Sequence, residues 1–223
     1  MFYETSKDDH GLSRPPFKSI AVPRPIGWIS TLSKSGVPNL APFSQFTNLG
    51  FNPPYVLISC NVNANGSRKD TVVNIEETGE FVHNMATYDL REAVSLCGAA
   101  FAPEIDEFEK AGLTKAPSVL VKPYRVAESP VQMECVHVQT IRLPGNGPMG
   151  SVDVIIGKVV GIHIKDDCIT ADGKIDIEKI KPLARLGYTD YACIDHIFSI
   201  APSTAAGAHS SFGMDGGSSN RKK

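Results

Sequence analysis

The sequence predicts a mainly β protein, an antiparallel β-barrel with short helical insertions that forms one domain. Many segments show strand-like patterns, whereas helical segments are few and short and do not alternate with strands as in a doubly wound sheet. No internal repeat or composition break divides residues 17–200. We therefore expect one domain over 17–201, preceded by an irregular arm (1–16) and followed by a Gly/Ser-rich, disordered tail (202–223).

The first half of the domain reads as strands with one helix. Residues 26–46 predict two strands around a Ser-Lys-Ser-Gly turn, with Gly36 at the position that needs a positive φ. After the break at Asn52–Pro54, residues 55–62 predict a third strand. Asp70 or Thr71 can cap a short helix ending before Gly79, and residues 80–85 predict the next strand.

The second half predicts two short helices and then strands again. Asp89 and Glu92 resemble a capping box, and residues 103–112 form a second, acidic helical pattern. Strand patterns follow at 118–127, 130–142 and 151–166, with a hairpin loop at 144–150. Gly157 and Gly161 interrupt the last run and predict bulges or bends, as a closing barrel needs. A turn and a short terminal element complete the domain.

The overall charge gives no reason to expect a nucleic-acid or membrane partner. The 22 basic and 24 acidic residues leave a formal net charge of −2, and no apolar run approaches the ~20 residues that span a bilayer. The polar N-terminus lacks the apolar core of a signal peptide. The five cysteines are scattered and mostly lie in or beside apolar runs, which favours reduced thiols in a cytoplasmic protein.

The stretch NGSRKDTVVN (65–74) has two interpretations. A phosphate group needs backbone N–H donors, hydroxyls and cations. A helix N-terminus supplies the N–H donors, Ser67 and Thr71 supply hydroxyls, and Arg68 and Lys69 supply positive charge. The alternative is a capped helix with a solvated basic turn, which short motifs of this kind form more often. The residues alone leave both interpretations open.

The segments upstream are compatible with a flat heteroaromatic ring. WIST (28–31) and APFSQFTNLGFNPP (41–54) combine strand residues with small and hydroxyl side chains, so that a ring could approach the backbone closely. Ala41, Ser44 and Thr47 suit such a surface, and Phe43 or Phe46 adds an apolar wall. A strand pair with solvated hydroxyls is the alternative, and Asn84 is either a ligand donor or a turn residue.

These segments, in this order, resemble the flavin reductase-like family of FMN-binding split β-barrels, near its flavoredoxin branch. The resemblance rests on RPIGWIST, GVPNLAPFSQF, NPP, RKDTVVNI and GEFVHN, and continues through DEFEKAGL, ESPVQMEC, IIGKVVGIHIKD and RLGYTDY. It covers almost all of residues 24–191. It implies a Greek-key split barrel, a homodimer, and FMN bound at the dimer interface.

The resemblance also implies which residues hold the cofactor. Ser30 and Thr31 would meet the ribityl or phosphate side, and Ala41, Pro42, Phe43 and Ser44 would line the isoalloxazine ring. The phosphate would lie on Ser67, Arg68, Lys69 and Thr71, with Asn84 near the cofactor. Arg185 and Tyr191 would reach the partner's flavin site. Where many relatives have a second glycine after Gly187, this chain has Tyr188, which puts the local backbone in question.

In this family the chemistry belongs to the flavin, so no acid–base pair is required. The resemblance implies an oxidoreductase in which NADH or NADPH passes hydride to FMN, and reduced FMN then serves a partner oxidoreductase. The alternatives are a tightly bound FMN that reduces ferric complexes or other small acceptors, and a flavoredoxin-like electron carrier. His83, His137 and His163 lie in strand patterns and carry no catalytic assignment.

Overall fold

The computed structural model describes residues 1–147 and 149–200. The predicted tail and His209 lie outside these ranges. The strands within these ranges are β1 (Arg24–Pro25), β2 (Gly27–Leu32), β3 (Pro38–Phe43), β4 (Phe46–Phe51), β5 (Pro54–Asn61), β6 (Glu80–Met85), β7 (Lys115–Ala116), β8 (Arg125–Val126), β9 (Val131–Leu143), β10 (Val152–Ile164), β11 (Leu183–Gly187) and β12 (Asp190–Cys193). Four α-helices are α1 (Asp70–Thr78), α2 (Arg91–Leu96), α3 (Glu107–Lys110) and α4 (Ile177–Ile180).

Seven strands form one antiparallel sheet that closes into a barrel. Their order is β3-β2-β6-β9-β10-β5-β4, so β3 and β4 are its two edges. Only Ser44 and Gln45 separate these strands along the chain, so the Cα atoms of Phe43 and Phe46 lie at most about 11 Å apart. The sheet must therefore curl until its edges meet, and the Ser59 N–H donates to Gln45 O at the junction. The predicted antiparallel split barrel with short helices is confirmed.

Bulges allow the long hairpin of β9 and β10 to bend. The pairing register of these strands shifts between Ile156 and Gly157 and again between Val159 and Gly161. At Gly157 there is no room for a side chain, because a Cβ would lie 2.3 Å from Phe81 Cζ in the core. Both glycines thus lie where the sequence predicted bulges, and the barrel bends there.

The barrel has a core on each face of β2. Ile29 points into the barrel with Val56, Phe81 and Ile155. The neighbouring Trp28 is also fully buried and packs on the outer side with residues of α2 and α3 and of the 124–126 segment. This second layer fixes the helices beside β3, and a cleft opens between them.

Two elements in the middle of the chain are shorter than predicted. The expected strand over 118–127 is reduced to β8, because the buried Glu134 carboxylate accepts hydrogen bonds from the N–H groups of Val119, Leu120 and Val121. Those bonds hold 117–123 as a loop. The expected helix over 103–112 is reduced to α3, which Asp106 caps through Phe108 N.

The predicted helix caps are also wrong. A 3-10 turn over Tyr88–Leu90 precedes α2, whose N-cap Leu90 has no capping side chain, so Asp89 and Glu92 form no capping box. The N-cap of α1 is Lys69, which likewise offers no side-chain acceptor, and Asp70 lies inside the first turn. The predicted left-handed end of α1 at Gly79 is confirmed.

The five cysteines are free, and four of them are buried. Burial raises the pKa of the Cys97 thiol to about 12 and those of Cys60 and Cys135 still further. Within the two described ranges, no helix is long and apolar enough to cross a membrane.

Candidate functional site

A cleft of about 610 Å³ lies beside β3, within the usual size range of small-molecule sites. The end of β3 forms one wall, the loop after β5 and the start of α1 form the second, and the loop after α2 forms the third. Its lining includes five of the residues predicted from sequence: Ala41, Pro42, Phe43, Lys69 and Thr71.

The β3 wall is small and apolar. Ala41 and Pro42 are half-buried and Phe43 is buried. Gly98 lies beside Pro42, where a Cβ would be in ordinary contact with Pro42 Cγ at 3.5 Å and crowded against Ser95 O at 3.2 Å. Ala99 and Ala100 continue this loop with minimal side chains. Such walls can accept a flat ring against the backbone.

The other end of the cleft carries a cation at a helix start. Lys69 is half-buried at the N-cap of α1, and Thr71 lies in the first turn. The first N–H groups of a helix lack intrahelical acceptors and favour anions. Among residues 1–147 and 149–200, no carboxylate lies within ion-pair distance of Lys69. This end of the cleft therefore suits an anionic group.

Arg68 faces away from Lys69 into a carboxylate cluster. Its guanidinium donates to Glu76 through Nη1 (2.5 Å) and Nη2 (2.7 Å), and to Asp153 Oδ2 through Nε (3.1 Å). The buried Asp153 also accepts from Arg142 Nε at 2.9 Å. The hydrogen bonds from Arg68 hold the pKa of Glu76 below its ordinary value. The charge of Arg68 is thus neutralised within the protein.

Ser67 belongs to an exposed turn. Its N–H donates to Asn65 Oδ1 at 2.9 Å, and its hydroxyl oxygen accepts from Asn63 Nδ2 at 3.0 Å. Asn63 also donates to Arg68 O at 3.2 Å. These bonds order the chain that leads into α1, and the Ser67 hydroxyl proton stays available to a ligand.

A buried polar network forms the floor of the cleft. Asn39 donates through Nδ2 to Glu107 Oε1 (2.9 Å), and Leu40 N donates to Glu107 Oε2 (3.0 Å). Asn39 Oδ1 accepts from Thr71 Oγ1 at 2.8 Å and from Thr31 Oγ1 at 3.3 Å. Burial raises the pKa of Glu107. Thr31, predicted as a cofactor contact, thus lies behind the floor, fully buried.

Sequence reasoning missed Asn39 and Glu107. Glu107 lies in an acidic segment that reads as a solvated helix, and Asn39 lies in a strand between Pro38 and Leu40. The one clue in the sequence was the position of Asn39, two residues before the Ala41–Phe43 segment on the same strand. Only the packing of α3 against β3 brings the two side chains together.

Ser30 and Asn84 lie on the outer side of β2 and β6, and both are fully buried. Asn84 accepts from Val126 N at 2.7 Å and donates to Trp28 O and to Ser30 Oγ, each at 3.2 Å. Ser30 Oγ donates to Tyr124 O at 2.5 Å. Both side chains are therefore engaged in holding the 124–126 segment against the sheet.

Other residues singled out from the sequence also lie outside the lining of this cleft, among them Ser44, Thr47 and Arg185. Ser44 is half-buried in the β3–β4 corner. Arg185, in β11, donates to the hydroxyl of Tyr191 and to the carbonyl of Tyr188, and its guanidinium stacks 4.5 Å from the Tyr191 ring centre. Tyr191 also borders a smaller cavity of about 260 Å³.

The Tyr188 position explains why glycine suits this turn. Tyr188 has a φ of 47° and Gly187 a φ of 110°, both in the left-handed region. A Cβ on Gly187 would lie 2.4 Å from Lys18 O. Tyr188 adopts a conformation that costs a non-glycine residue roughly 1–2 kcal/mol, while its hydroxyl donates to Pro15 O at 3.2 Å. The tyrosine therefore ties the N-terminal arm to the domain.

The strand histidines have partners within the fold. His163 Nε2 lies 2.5 Å from Glu134 Oε1, and His137 Nε2 lies 2.9 Å from Thr140 Oγ1. His83 is buried and stacks on Phe46 with ring centres 4.4 Å apart. Burial lowers its pKa to about 4, so the ring is neutral at pH 7.

Comparison with known proteins agrees with this architecture. Residues 19–178 match the family model described as the flavin reductase like domain. An uncharacterized protein of Aquifex aeolicus is 39% identical over 168 residues, which are 75% of this chain and 83% of the relative.

Two solved structures are similar over almost the whole chain. Nitrilotriacetate monooxygenase component B from Bacillus cereus is 30% identical with a TM-score of 0.82, covering 90% of this chain and 98% of its own. The 2-nitrobenzoate 2-nitroreductase NbaA of Pseudomonas fluorescens is 25% identical with a TM-score of 0.78, covering 94% and 100%. The chain therefore belongs to the flavin reductase-like family, a membership that supports flavin binding and a general oxidoreductase role.

Proposed function

We propose that this protein binds FMN in the cleft beside β3 and acts as an NAD(P)H-dependent flavin reductase. The observation that carries the proposal is the pairing of two unlike ends in one cleft of about 610 Å³. One end offers a small, apolar strand wall, and the other offers Lys69 and Thr71 at the start of a helix. A ring carrying a phosphate tail matches that pairing.

The residues divide the work between ring and tail. Ala41, Pro42 and Phe43 would lie against the isoalloxazine. Lys69, the Ser67 and Thr71 hydroxyls and the first N–H groups of α1 would hold the phosphate. When bound, FMN would accept hydride from a reduced nicotinamide and pass electrons onward.

Arg68 has two possible roles under this proposal. Its sequence neighbourhood predicts direct phosphate binding, whereas its bonds to Glu76 and Asp153 favour holding the loop in place. Substitution of Arg68 and of Lys69 in parallel separates these roles.

The second candidate is a protein that retains FMN and reduces a small acceptor directly, or carries electrons as a flavoredoxin would. The similarity to a 2-nitrobenzoate 2-nitroreductase favours the small-acceptor version. The similarity to a monooxygenase component B favours the version that supplies a partner oxidoreductase.

A visible absorption spectrum of the purified protein, before and after adding FMN and removing the excess, tests the cofactor. Retained flavin bands are the expected result, and a colourless protein that fails to respond to FMN would contradict the proposal. NADH and NADPH oxidation with and without free FMN then separates the functions. Saturation by free FMN indicates a reductase, whereas retained FMN that only a partner protein reduces indicates a carrier.

We further propose a homodimer. The strand β9 exposes three apolar side chains within six residues, Val138, Ile141 and Leu143, and an exposed apolar run of this kind favours association. In such a dimer, Arg185 and Tyr191 would reach the partner's flavin. The mass of the protein in solution tests the dimer, and a monomeric mass at micromolar concentration would contradict it.

A further inference from the structure

The floor of the cleft is a chain of hydrogen bonds whose direction a single proton can set. Glu107, Asn39 and Thr71 all border the cleft and are buried. They are joined in series, with Asn39 Nδ2 on Glu107 Oε1 at 2.9 Å and Thr71 Oγ1 on Asn39 Oδ1 at 2.8 Å. An ionised carboxylate only accepts hydrogen bonds, whereas a protonated one also donates.

With Glu107 ionised, the direction of each bond is fixed. The carboxylate requires a donor, so Asn39 must present its NH₂ group to Glu107 and its oxygen to Thr71. Thr71 then gives its single proton to Asn39. Towards the cleft the Thr71 hydroxyl offers only lone pairs, which a phosphate does not bind.

With Glu107 protonated, the hydrogen bonds between the same three groups can reverse their direction. The carboxyl O–H donates to Asn39 Oδ1 while its other oxygen keeps the bond from Leu40 N. The rotated Asn39 amide then donates to Thr71 Oγ1, and the Thr71 proton is free to point into the cleft. Thr31 then loses Asn39 Oδ1 as its acceptor. Asn74, which donates to Thr31 at 3.0 Å, can rotate its amide and present its oxygen to the Thr31 hydroxyl instead.

We propose that Glu107 is a positioning residue which, through Asn39, decides whether the Thr71 hydroxyl donates into the cleft, so that binding a phosphate there takes up a proton at Glu107. The proton comes from solvent and no other bond is made or broken. This inference rests on the proposed FMN function and adds a proton linkage to it.

The surrounding charges are compatible with that proton uptake. Burial raises the pKa of Glu107, Asp106 raises it further, and the donors at Leu40 and Asn39 oppose them. On the facing wall, Asp70 and Lys69 carry opposite charges, and the charge of Asp106 is shared with Lys115. A phosphate added to this cleft places new negative charge near Glu107, which also favours its protonation.

Proton uptake is measured directly by titration calorimetry in two buffers that differ in ionisation enthalpy, with FMN and riboflavin as the probes. At pH 8 the phosphate itself, with a second pKa of about 6, contributes little. We expect the wild-type protein to take up more protons with FMN than with riboflavin, up to one per site. Glu107→Gln should take up none, because its amide already donates to Asn39 while its oxygen keeps Leu40 N. Glu109→Gln, exposed on the same helix, is the matched control and should behave as wild type.

A second pair of variants separates the hydrogen-bond chain from simple charge repulsion. Thr71→Ser keeps the hydroxyl and should retain the FMN-specific proton uptake, whereas Thr71→Val removes it and should abolish most of that uptake. Undiminished uptake in Thr71→Val would overturn the proposal, since repulsion between Glu107 and the phosphate would then account for it.

The pH dependence of affinity gives an independent readout. Above the pKa of Glu107, the FMN dissociation constant of the wild type should rise by up to about tenfold per pH unit, and that of Glu107→Gln should stay flat. Equal slopes in the two proteins would overturn the inference and leave FMN binding intact. If wild type and Glu107→Gln bind neither FMN nor riboflavin, the proposed function itself fails.

Discussion

Replacing Lys69 by alanine tests the proposed phosphate-binding end of the cleft most directly. Lys69 has no carboxylate partner in the described part of the chain, so its charge is available to a phosphate. A hydrogen bond to a charged group contributes about 1.5–3 kcal/mol, and every 1.4 kcal/mol corresponds to a factor of ten. We therefore expect the FMN dissociation constant of Lys69→Ala to rise about 10- to 150-fold.

The matched variant is Arg68→Ala, one residue away and of the same charge. Arg68 is paired with Glu76 and with Asp153, whose side chain is only 1% exposed. Breaking a buried ion pair costs about 3–5 kcal/mol, and Arg142 remains as a partner of Asp153. We expect the unfolding free energy of Arg68→Ala to fall by roughly 1–3 kcal/mol, with its FMN affinity within about threefold of wild type.

Fluorescence titration with FMN and riboflavin, together with urea unfolding, distinguishes these outcomes. Riboflavin lacks the phosphate, so its affinity should be the same for Lys69→Ala and wild type. Wild-type FMN affinity in Lys69→Ala would refute the assignment of this end of the cleft. An Arg68→Ala protein of normal stability that loses FMN affinity would indicate that Arg68, and not Lys69, binds the phosphate.

Two further predictions concern the barrel. Gly157→Ala should lower the unfolding free energy by about 1–3 kcal/mol, because its Cβ would lie 2.3 Å from Phe81 Cζ; Gly161→Ala, with its nearest contact at 3.4 Å, is the control, and equal losses in urea unfolding would contradict the reasoning. The pKa of His83 is about 4 in the folded protein, against an ordinary value of 6.5. The neutral ring therefore adds its full contribution to the free energy of unfolding above pH 6.5, and this contribution, about 3 kcal/mol, is lost as the pH falls towards 4. His83→Phe should flatten that part of the stability–pH curve, and an unchanged curve would argue against the buried neutral ring.

Much of the barrel was predictable because its strands follow local rules. The β2–β3 hairpin, β5, β6 and the β9–β10 hairpin appear where apolar runs meet turn residues, and the bulges appear at the two interior glycines. The loop at 117–123 was not predictable in this way. Its residues suit a strand, but the Glu134 carboxylate on β9 accepts hydrogen bonds from three of its N–H groups. No local sequence pattern indicates that a distant carboxylate will bind these groups.

The site shows the same division between local and long-range information. Ala41, Pro42 and Phe43 lie together in sequence and form one wall, so their pattern was readable. Asn39 and Glu107 are 68 residues apart and meet only because α3 packs on β3. A buried carboxylate of this kind looks like a solvated one in sequence, since both occur in short acidic helices.

The stretch that contains Arg68 and Lys69 shows what a basic motif leaves undetermined. Both residues carry one positive charge and both precede the same helix, but Arg68 turns towards Asp153 on β10 while Lys69 turns into the cleft. Which of two neighbouring cations remains available to a ligand depends on where the carboxylates of other strands lie. In the proposed FMN site, the phosphate position is therefore defined as much by the carboxylates that neutralise one cation as by the cations themselves, and Asp153, 85 residues away from Arg68, belongs to that set.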